Sequence, residues 1–141
     1  MRIRSSALAA MAVLLLVGCA PASEREWPWP TRPLTDYVLA PVQDLPSRLP
    51  DGRIVVDAVY QDVQRRIDPD SDVLVGDTVG WVVVALCADS PTSGPELTEL
   101  TAAIAPVALL SDAVVEKALR GEYLDALDCP NGWWSAPTVG D

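Results

Sequence analysis

The feature that most constrains the fold is a continuous apolar run over residues 81–87, composed of Trp, three Val, Ala, Leu and Cys. Its length and β-branched content, with Gly80 before it and a polar, proline-containing segment after it, are typical of a strand covered on both faces. Such a strand needs further elements on each side of its sheet. We therefore predict a small single domain of the α+β class, with this run as the central strand of a few-stranded sheet.

A main helix is predicted near residues 111–120. Ser111 is a suitable N-cap, and apolar residues follow it at helical spacing, at positions 114, 115, 118 and 119. Glu116 and Arg120 are spaced to pair on the outer face of this helix. Gly121 is the kind of residue that commonly follows a helix C-terminus, so the helix is expected to end there.

Two other segments give less direct signals. Pro106 lies inside the apolar stretch 97–110, which excludes an unbroken helix and favours an edge strand over residues 104–109 after a short turn or helix. Residues 54–60 are rich in β-branched and aromatic types and predict a strand. Apolar positions at helical spacing through Arg66 predict a helix there instead, and both alternatives remain open.

The first nineteen residues have the organisation of an export signal. Arg2 and Arg4 provide a positive start, and residues 7–17 form an apolar run of the size of a signal-peptide core. This run is shorter than the roughly 20 residues that a membrane-spanning helix needs. It ends in Leu16-Val17-Gly18-Cys19, which resembles the lipobox of a bacterial lipoprotein signal at all four positions.

This resemblance covers residues 1–19 and implies a defined processing. The signal peptide, residues 1–18, would be removed after Gly18, and Cys19 would become the N-terminus and carry a diacylglyceryl thioether. The mature protein would then be lipid-anchored on the extracytoplasmic face of a bacterial membrane, since two or more acyl chains give stable attachment. The alternative is an ordinary secreted protein that is cut near Ala20 or Ala22.

With Cys19 assigned to the lipid, Cys87 and Cys129 are left as an even pair in an oxidising compartment. We predict a disulfide between them, which would close a loop of about 42 residues and contribute about 4 kcal/mol in the chain-entropy model. Redox catalysis is disfavoured, because the sequence has no Cys-x-x-Cys spacing.

The prolines that follow Cys19 predict an extended tether. Residues 19–33 are assigned to the lipidated N-terminus and this proline-rich tether, residues 34–134 to the globular domain and residues 135–141 to a polar tail. Trp27 and Trp29 lie within the tether, and they are expected either to rest at the membrane interface or to fold back onto the domain.

The charge balance restricts the partners. The chain has a formal net charge of −10, and removal of Arg2 and Arg4 with the signal peptide leaves eight basic residues against twenty acidic ones. This excludes nucleic acid as the expected partner, because its phosphates require clustered Lys and Arg. It also argues against adsorption on anionic lipid headgroups, so attachment to the membrane is left to the lipid on Cys19.

The sequence offers few groups for catalysis or metal binding. It contains no histidine, which removes the commonest general base and metal ligand, and no glycine-rich phosphate loop, so no cofactor is predicted. Carboxylates at alternating positions can converge on calcium, which makes Asp68, Asp70, Asp72 and Asp77 a candidate site. The alternative for these aspartates is a solvated acidic turn.

Trp133 and Trp134 are candidate binding residues for a glycan or peptide, with packing in the core as the alternative. The sequence as a whole predicts a membrane-anchored envelope lipoprotein whose domain is a non-enzymatic interaction module, with an envelope protein or cell-wall glycan as the candidate partners. A module that binds cell-wall glycan or a small ligand is the first alternative. An Asp- or Glu-dependent hydrolase is the second, although nothing in the sequence selects two carboxylates for it.

Overall fold

The sheet of this protein is four-stranded and mixed, in the computed structural model that describes residues 27–138. Its strands are β1 (Asp57–Asp62), β2 (Trp81–Ala88), β3 (Glu99–Pro106) and β4 (Trp134–Ala136), in the spatial order β1-β3-β2-β4. Strand β1 is parallel to β3, whereas β2 is antiparallel to both β3 and β4. Two helices, α1 (Gln64–Ile67) and α2 (Asp112–Leu119), accompany the sheet. The predicted small α+β domain with one main helix is confirmed.

Strand β2 is the central strand that its apolar run predicts, since all eight of its residues are buried. Opposite β3 it contains a β-bulge: Val83 faces Ile104 and Ala85 faces Ala103, which leaves Val84 as the extra residue. Val84 and Ala85 therefore both face one side of the sheet. The other side receives side chains from alternate positions on each side of the bulge, namely Trp81, Val83, Leu86 and Ala88.

Each face of the sheet has its own covering layer. On one face, the segment that precedes β1 packs buried Tyr37, Val42 and Leu45 against the sheet, and we call it the N-terminal layer. On the other face, α2 and the turn after it contribute Ala118 and Tyr123. The two layers explain why β2 needs no polar residue along its length.

Helix α2 begins and ends as its sequence predicts. The Ser111 hydroxyl accepts a hydrogen bond from the backbone N–H of Val114 at 3.3 Å, and Glu116 Oε1 lies 3.2 Å from Arg120 Nη1. Gly121 follows with a φ of 77°, a conformation that favours glycine. Leu119 is 55% exposed, so the helix contacts the sheet mainly through Ala118.

The predicted edge strand over residues 104–109 is wrong. Strand β3 lies between β1 and β2, and Pro106 is its last residue rather than a residue near its middle. Proline is tolerated there because β1 ends opposite Ile104, so no ladder bond toward β1 is lost at position 106.

The two alternatives for residues 54–67 are both partly correct. Strand β1 occupies residues 57–62, and the short helix α1 follows it at residues 64–67. Ile54 lies outside β1 and is 63% exposed. The strand signal therefore identified the correct type of element but placed its start too early.

The predicted disulfide between Cys87 and Cys129 is present, with 6.1 Å between the two Cα atoms. It joins the middle of the sheet to the chain that leads into β4. Residues 135 and 136, for which the sequence predicts a polar tail, instead form β4 together with Trp134. Ser135 pairs with Cys87 itself, so the disulfide and β4 attach the C-terminal segment at the same place.

Residues 27–33 lie against the domain, although their proline content predicts an extended tether. The indole N–H of Trp27 donates a hydrogen bond to the Ser93 carbonyl at 2.8 Å, which matches the alternative in which the tryptophans fold back. Within residues 27–138 no helix is long and apolar enough to cross a membrane. Cys19 and the export signal lie outside the described residues.

Asp89 holds the loop between β2 and β3. Its carboxylate accepts hydrogen bonds from the backbone N–H groups of Thr98 at 3.0 Å and Glu99 at 3.2 Å, and from the Thr98 hydroxyl. Partial burial raises the pKa of Asp89, but these hydrogen bonds outweigh burial and keep the pKa below its usual value.

We expect Asp89→Asn to lower the free energy of unfolding by about 1 kcal/mol at neutral pH, because the amide accepts fewer of these bonds. The contribution of Asp89 is present above its unfolded pKa of about 4, and is lost as the pH falls through the lower folded value. Urea unfolding at neutral and acidic pH measures both effects, with exposed Asp128→Asn as the control. A variant that keeps the full acid sensitivity of the wild type would contradict this role.

Candidate functional site

An open pocket of about 400 Å³ lies where three parts of the chain meet. Trp29 comes from the start of the described chain, Tyr60 from β1, and Asp77 and Thr78 from the loop that precedes β2. The N-terminal layer supplies the rest of the lining, which consists of Val42, Gln43, Leu45, Ser47 and Arg48. Residues that are far apart in sequence thus form one concave surface.

Trp29 is held by a contact to its ring and by hydrogen bonds to the residues before and after it in the chain. The Trp27 ring meets it edge-on, with 4.9 Å between the ring centres, and Trp27 is itself bonded to the Ser93 carbonyl. After Trp29 in the chain, the carbonyl of Pro30 accepts a hydrogen bond from the buried Ser93 hydroxyl at 2.8 Å. Ser93 therefore fixes the chain before and after Trp29, and the half-buried indole lines the pocket.

Tyr60 supplies the second aromatic ring. It is half-buried and points to the same face of the sheet as the N-terminal layer. Burial raises the pKa of the Tyr60 hydroxyl, while a hydrogen bond with Ser47 and the charge of Arg48 act in the opposite direction. The net effect is upward, so the hydroxyl is protonated at neutral pH and can donate a hydrogen bond.

Arg48 and Asp77 place opposite charges in the lining. Arg48 is exposed, and its guanidinium forms no ion pair with any residue in the range 27–138. Asp77 Oδ1 accepts a hydrogen bond from the backbone N–H of Val79 at 3.2 Å. Both side chains are therefore available to a polar ligand.

Thr78 has a backbone conformation that is rare for its residue type. Its φ is 67°, in the left-handed region, which a β-branched side chain disfavours. The hydroxyl donates to the Asp77 carbonyl at 2.6 Å, and the Thr78 carbonyl accepts from the N–H of Trp81 at 3.1 Å. These bonds hold the strained residue at the point where the loop enters β2, beside the pocket.

One buried amide organises the start of the same loop. Gln64 is 4% exposed, and its Nε2 donates to the Val73 carbonyl at 2.8 Å and to Asp62 Oδ2 at 2.6 Å. Its Oε1 accepts from the Val73 N–H at 2.8 Å and from the Ser71 hydroxyl at 2.7 Å. Every hydrogen-bonding position of the amide is used, so the loop is fixed to α1 at Val73.

The four aspartates of the calcium candidate are not gathered by the fold. Within residues 27–138, no three Cys, Asp or Glu side chains lie together as a group that could hold a metal ion. Asp68 Oδ1 accepts from the backbone N–H of Asp70 at 3.0 Å and so stabilises its own turn. Of the four, Asp77 lines the pocket.

The tryptophans at the C-terminal end lie apart from this lining. Trp134 is 56% exposed at the start of β4, and Trp133 is half-buried, whereas Trp81 is a core residue at 3% exposure. Sequence reasoning missed Trp29, Tyr60 and Arg48 as members of one site. A signal was present in the Trp-Pro-Trp-Pro segment, but proline content alone pointed to a tether.

The lining combines two aromatic rings and two aliphatic side chains with hydrogen-bond donors and acceptors. One of its side chains is positively charged and one is negatively charged. This composition suits the binding of a ligand that has an apolar face and a polar rim. No protein-family model, curated protein or solved structure matches this chain.

Proposed function

We propose that this protein is a lipid-anchored lipoprotein of a bacterial envelope and that its domain is a non-enzymatic module that binds cell-wall glycan. The observation that carries the proposal is the pocket, in which Trp29 and Tyr60 stand among polar side chains. The lipobox-like sequence that ends at Cys19 supplies the location.

A carbohydrate fits the chemistry of this lining. A pyranose ring has an apolar C–H face, which packs on an aromatic ring, and a rim of hydroxyl groups, which need both donors and acceptors. Trp29 and Tyr60 offer the aromatic surface, and Gln43 supplies an amide that both donates and accepts. Arg48 adds a cation that suits the carboxylate of an acidic sugar or of a peptide stem attached to the glycan.

The size and openness of the site support the same ligand class. About 400 Å³ lies within the range of ~300–1,000 Å³ that is usual for ligand pockets. An open pocket at the surface accepts an internal segment of a polymer, whereas a closed cavity accepts only a free small molecule. A lipid on Cys19 would hold the domain close to the membrane and within reach of the wall above it.

The test is titration of the protein with soluble oligomers of β-1,4-linked N-acetylglucosamine and with muropeptide fragments, followed by NMR. We expect Trp29→Ala to weaken binding about tenfold or more, equivalent to about 1.4 kcal/mol. Trp134→Ala is the matched control, because it removes an exposed indole outside the pocket, and its binding should equal that of the wild type.

Arg48→Ala provides a variant that does not disturb the Trp27–Trp29 contact. It should weaken binding of the acidic muropeptide more than binding of the neutral oligomer. Failure of both ligands to bind, or loss of binding in Trp134→Ala instead of Trp29→Ala, would overturn the assignment of the pocket. The anchor is tested separately by the intact mass of membrane-extracted protein, which should show a chain that begins at Cys19 and carries lipid.

A further inference from the structure

The loop before β2 exposes a cluster of aliphatic side chains. Leu74 is 88% exposed, Val73 50% and Val75 41%. Adjacent exposed apolar residues of this kind mark a surface that something else covers. We propose that residues 73–75 form a second membrane contact, which inserts among lipids when the chain is anchored at Cys19; this inference rests on the anchor in the proposed function and adds to it.

The loop is built to present these side chains. The buried amide of Gln64 holds both the N–H and the carbonyl of Val73 at 2.8 Å, so the backbone is fixed immediately before Leu74. Leu74 is thus exposed directly beside a fixed backbone position. A backbone that is held at one end loses less conformational freedom when the loop inserts.

The loop also lies near the anchored end of the domain. Asp77 and Thr78, which follow the cluster, line the same pocket as Trp29. Cys19 is eight residues before Trp27, a span of at most about 29 Å. An anchor at Cys19 would therefore keep the Trp29 end of the domain within about 29 Å of the bilayer, so that the loop can reach lipid.

The acidic residues around the cluster limit the kinds of lipid that it can contact. Asp72 and Asp77 flank the cluster, and residues 68–80 contain no basic side chain. The acidic loop would be repelled by anionic headgroups, so the contact must be apolar and must depend on the high local concentration that the anchor provides. We therefore expect insertion into zwitterionic bilayers, reduced by anionic lipid at low salt and recovered at high salt.

The experiment uses the full lipidated protein with Leu74→Cys, labelled with the dye NBD and reconstituted in phosphatidylcholine vesicles. Cys87 and Cys129 are joined in the disulfide and Cys19 would be acylated, so the new thiol takes the label. Nitroxide-bearing lipids should quench NBD at position 74 several-fold more than NBD in the matched variant Leu119→Cys. Leu119 is also exposed, at 55%, but lies on α2, outside the cluster.

Three results would overturn the contact. Equal quenching at positions 74 and 119 would show that the loop stays in water. A blue-shifted label that nitroxide lipids do not quench would place the loop against a protein or a second copy of this chain. An intact mass without lipid on Cys19 would remove the anchor and this inference together, whereas a lipidated chain with an unquenched label would overturn the loop contact alone.

Discussion

Removal of the Cys87–Cys129 disulfide by Cys87→Ala and Cys129→Ala is expected to lower the free energy of unfolding by about 3–4 kcal/mol. The bond closes a loop with a sequence separation of 42, for which the chain-entropy model gives about 4 kcal/mol. Small domains have a net stability of about 5–15 kcal/mol, so the variant should lose a large share of it. Alanine is the chosen replacement because Cys87 is fully buried and a serine hydroxyl would need a partner there.

Urea unfolding with and without a reducing agent measures this effect. The wild type should lose stability on reduction and approach the double variant, whereas the double variant should not respond to the reducing agent. A loss of under about 1 kcal/mol in the double variant would mean that the sheet pairing of β4 alone holds the C-terminal segment.

Replacement of Gln64 by Leu should have the second large effect, a loss of about 2 kcal/mol in the free energy of unfolding. The substitution keeps the size of the side chain but leaves the Val73 backbone groups and the Ser71 hydroxyl without their partner. An unpaired buried polar group costs about 1–3 kcal/mol, and the loop can regain part of this by opening to water. Opening should therefore accompany the loss of stability.

Amide hydrogen exchange tests the local part of this prediction. Exchange at Val73 should become faster in Gln64→Leu, whereas exchange in β2 should follow the global stability. Gln61→Leu, at an exposed position of β1, is the matched control and should leave exchange in the loop unchanged. Wild-type protection at Val73 in the Gln64 variant would show that the loop is held by other contacts.

The two proposals share this loop, which gives the Gln64 variant a functional readout. The loop supplies Asp77 and Thr78 to the pocket and Leu74 to the membrane contact. If Gln64→Leu opens the loop, binding of glycan should weaken and quenching of a label at position 74 should decrease together. The same variant thus connects the stability of the loop to both activities.

Much of the secondary structure could be predicted from local signals. The apolar run over residues 81–87 predicted β2, and Ser111 and Gly121 predicted the limits of α2. The pairing of Cys87 with Cys129 followed from their number once Cys19 was assigned to a lipid. In each case the deciding information lies within a few residues or in a simple count.

The predictions that failed concern where a strand lies in the sheet. Pro106 suggested an edge strand because proline breaks a ladder, but the position of its partner strand β1 decided whether a bond was lost. Strand β4 has only three residues and begins with the second residue of a Trp-Trp pair, so it carries no alternation that a sequence can show.

The sequence by itself determined the central strand, the capped helix and the cysteine pair, because an apolar run, a helix cap and a count of cysteines can each be read without knowledge of the fold. Only the tertiary structure decided the strand order and the site. Trp27 and Ser93 are 66 residues apart and Gln64 and Val73 are nine apart, yet their hydrogen bonds position Trp29 and the loop. Such contacts depend on how the layers pack on the sheet, and no local pattern encodes them.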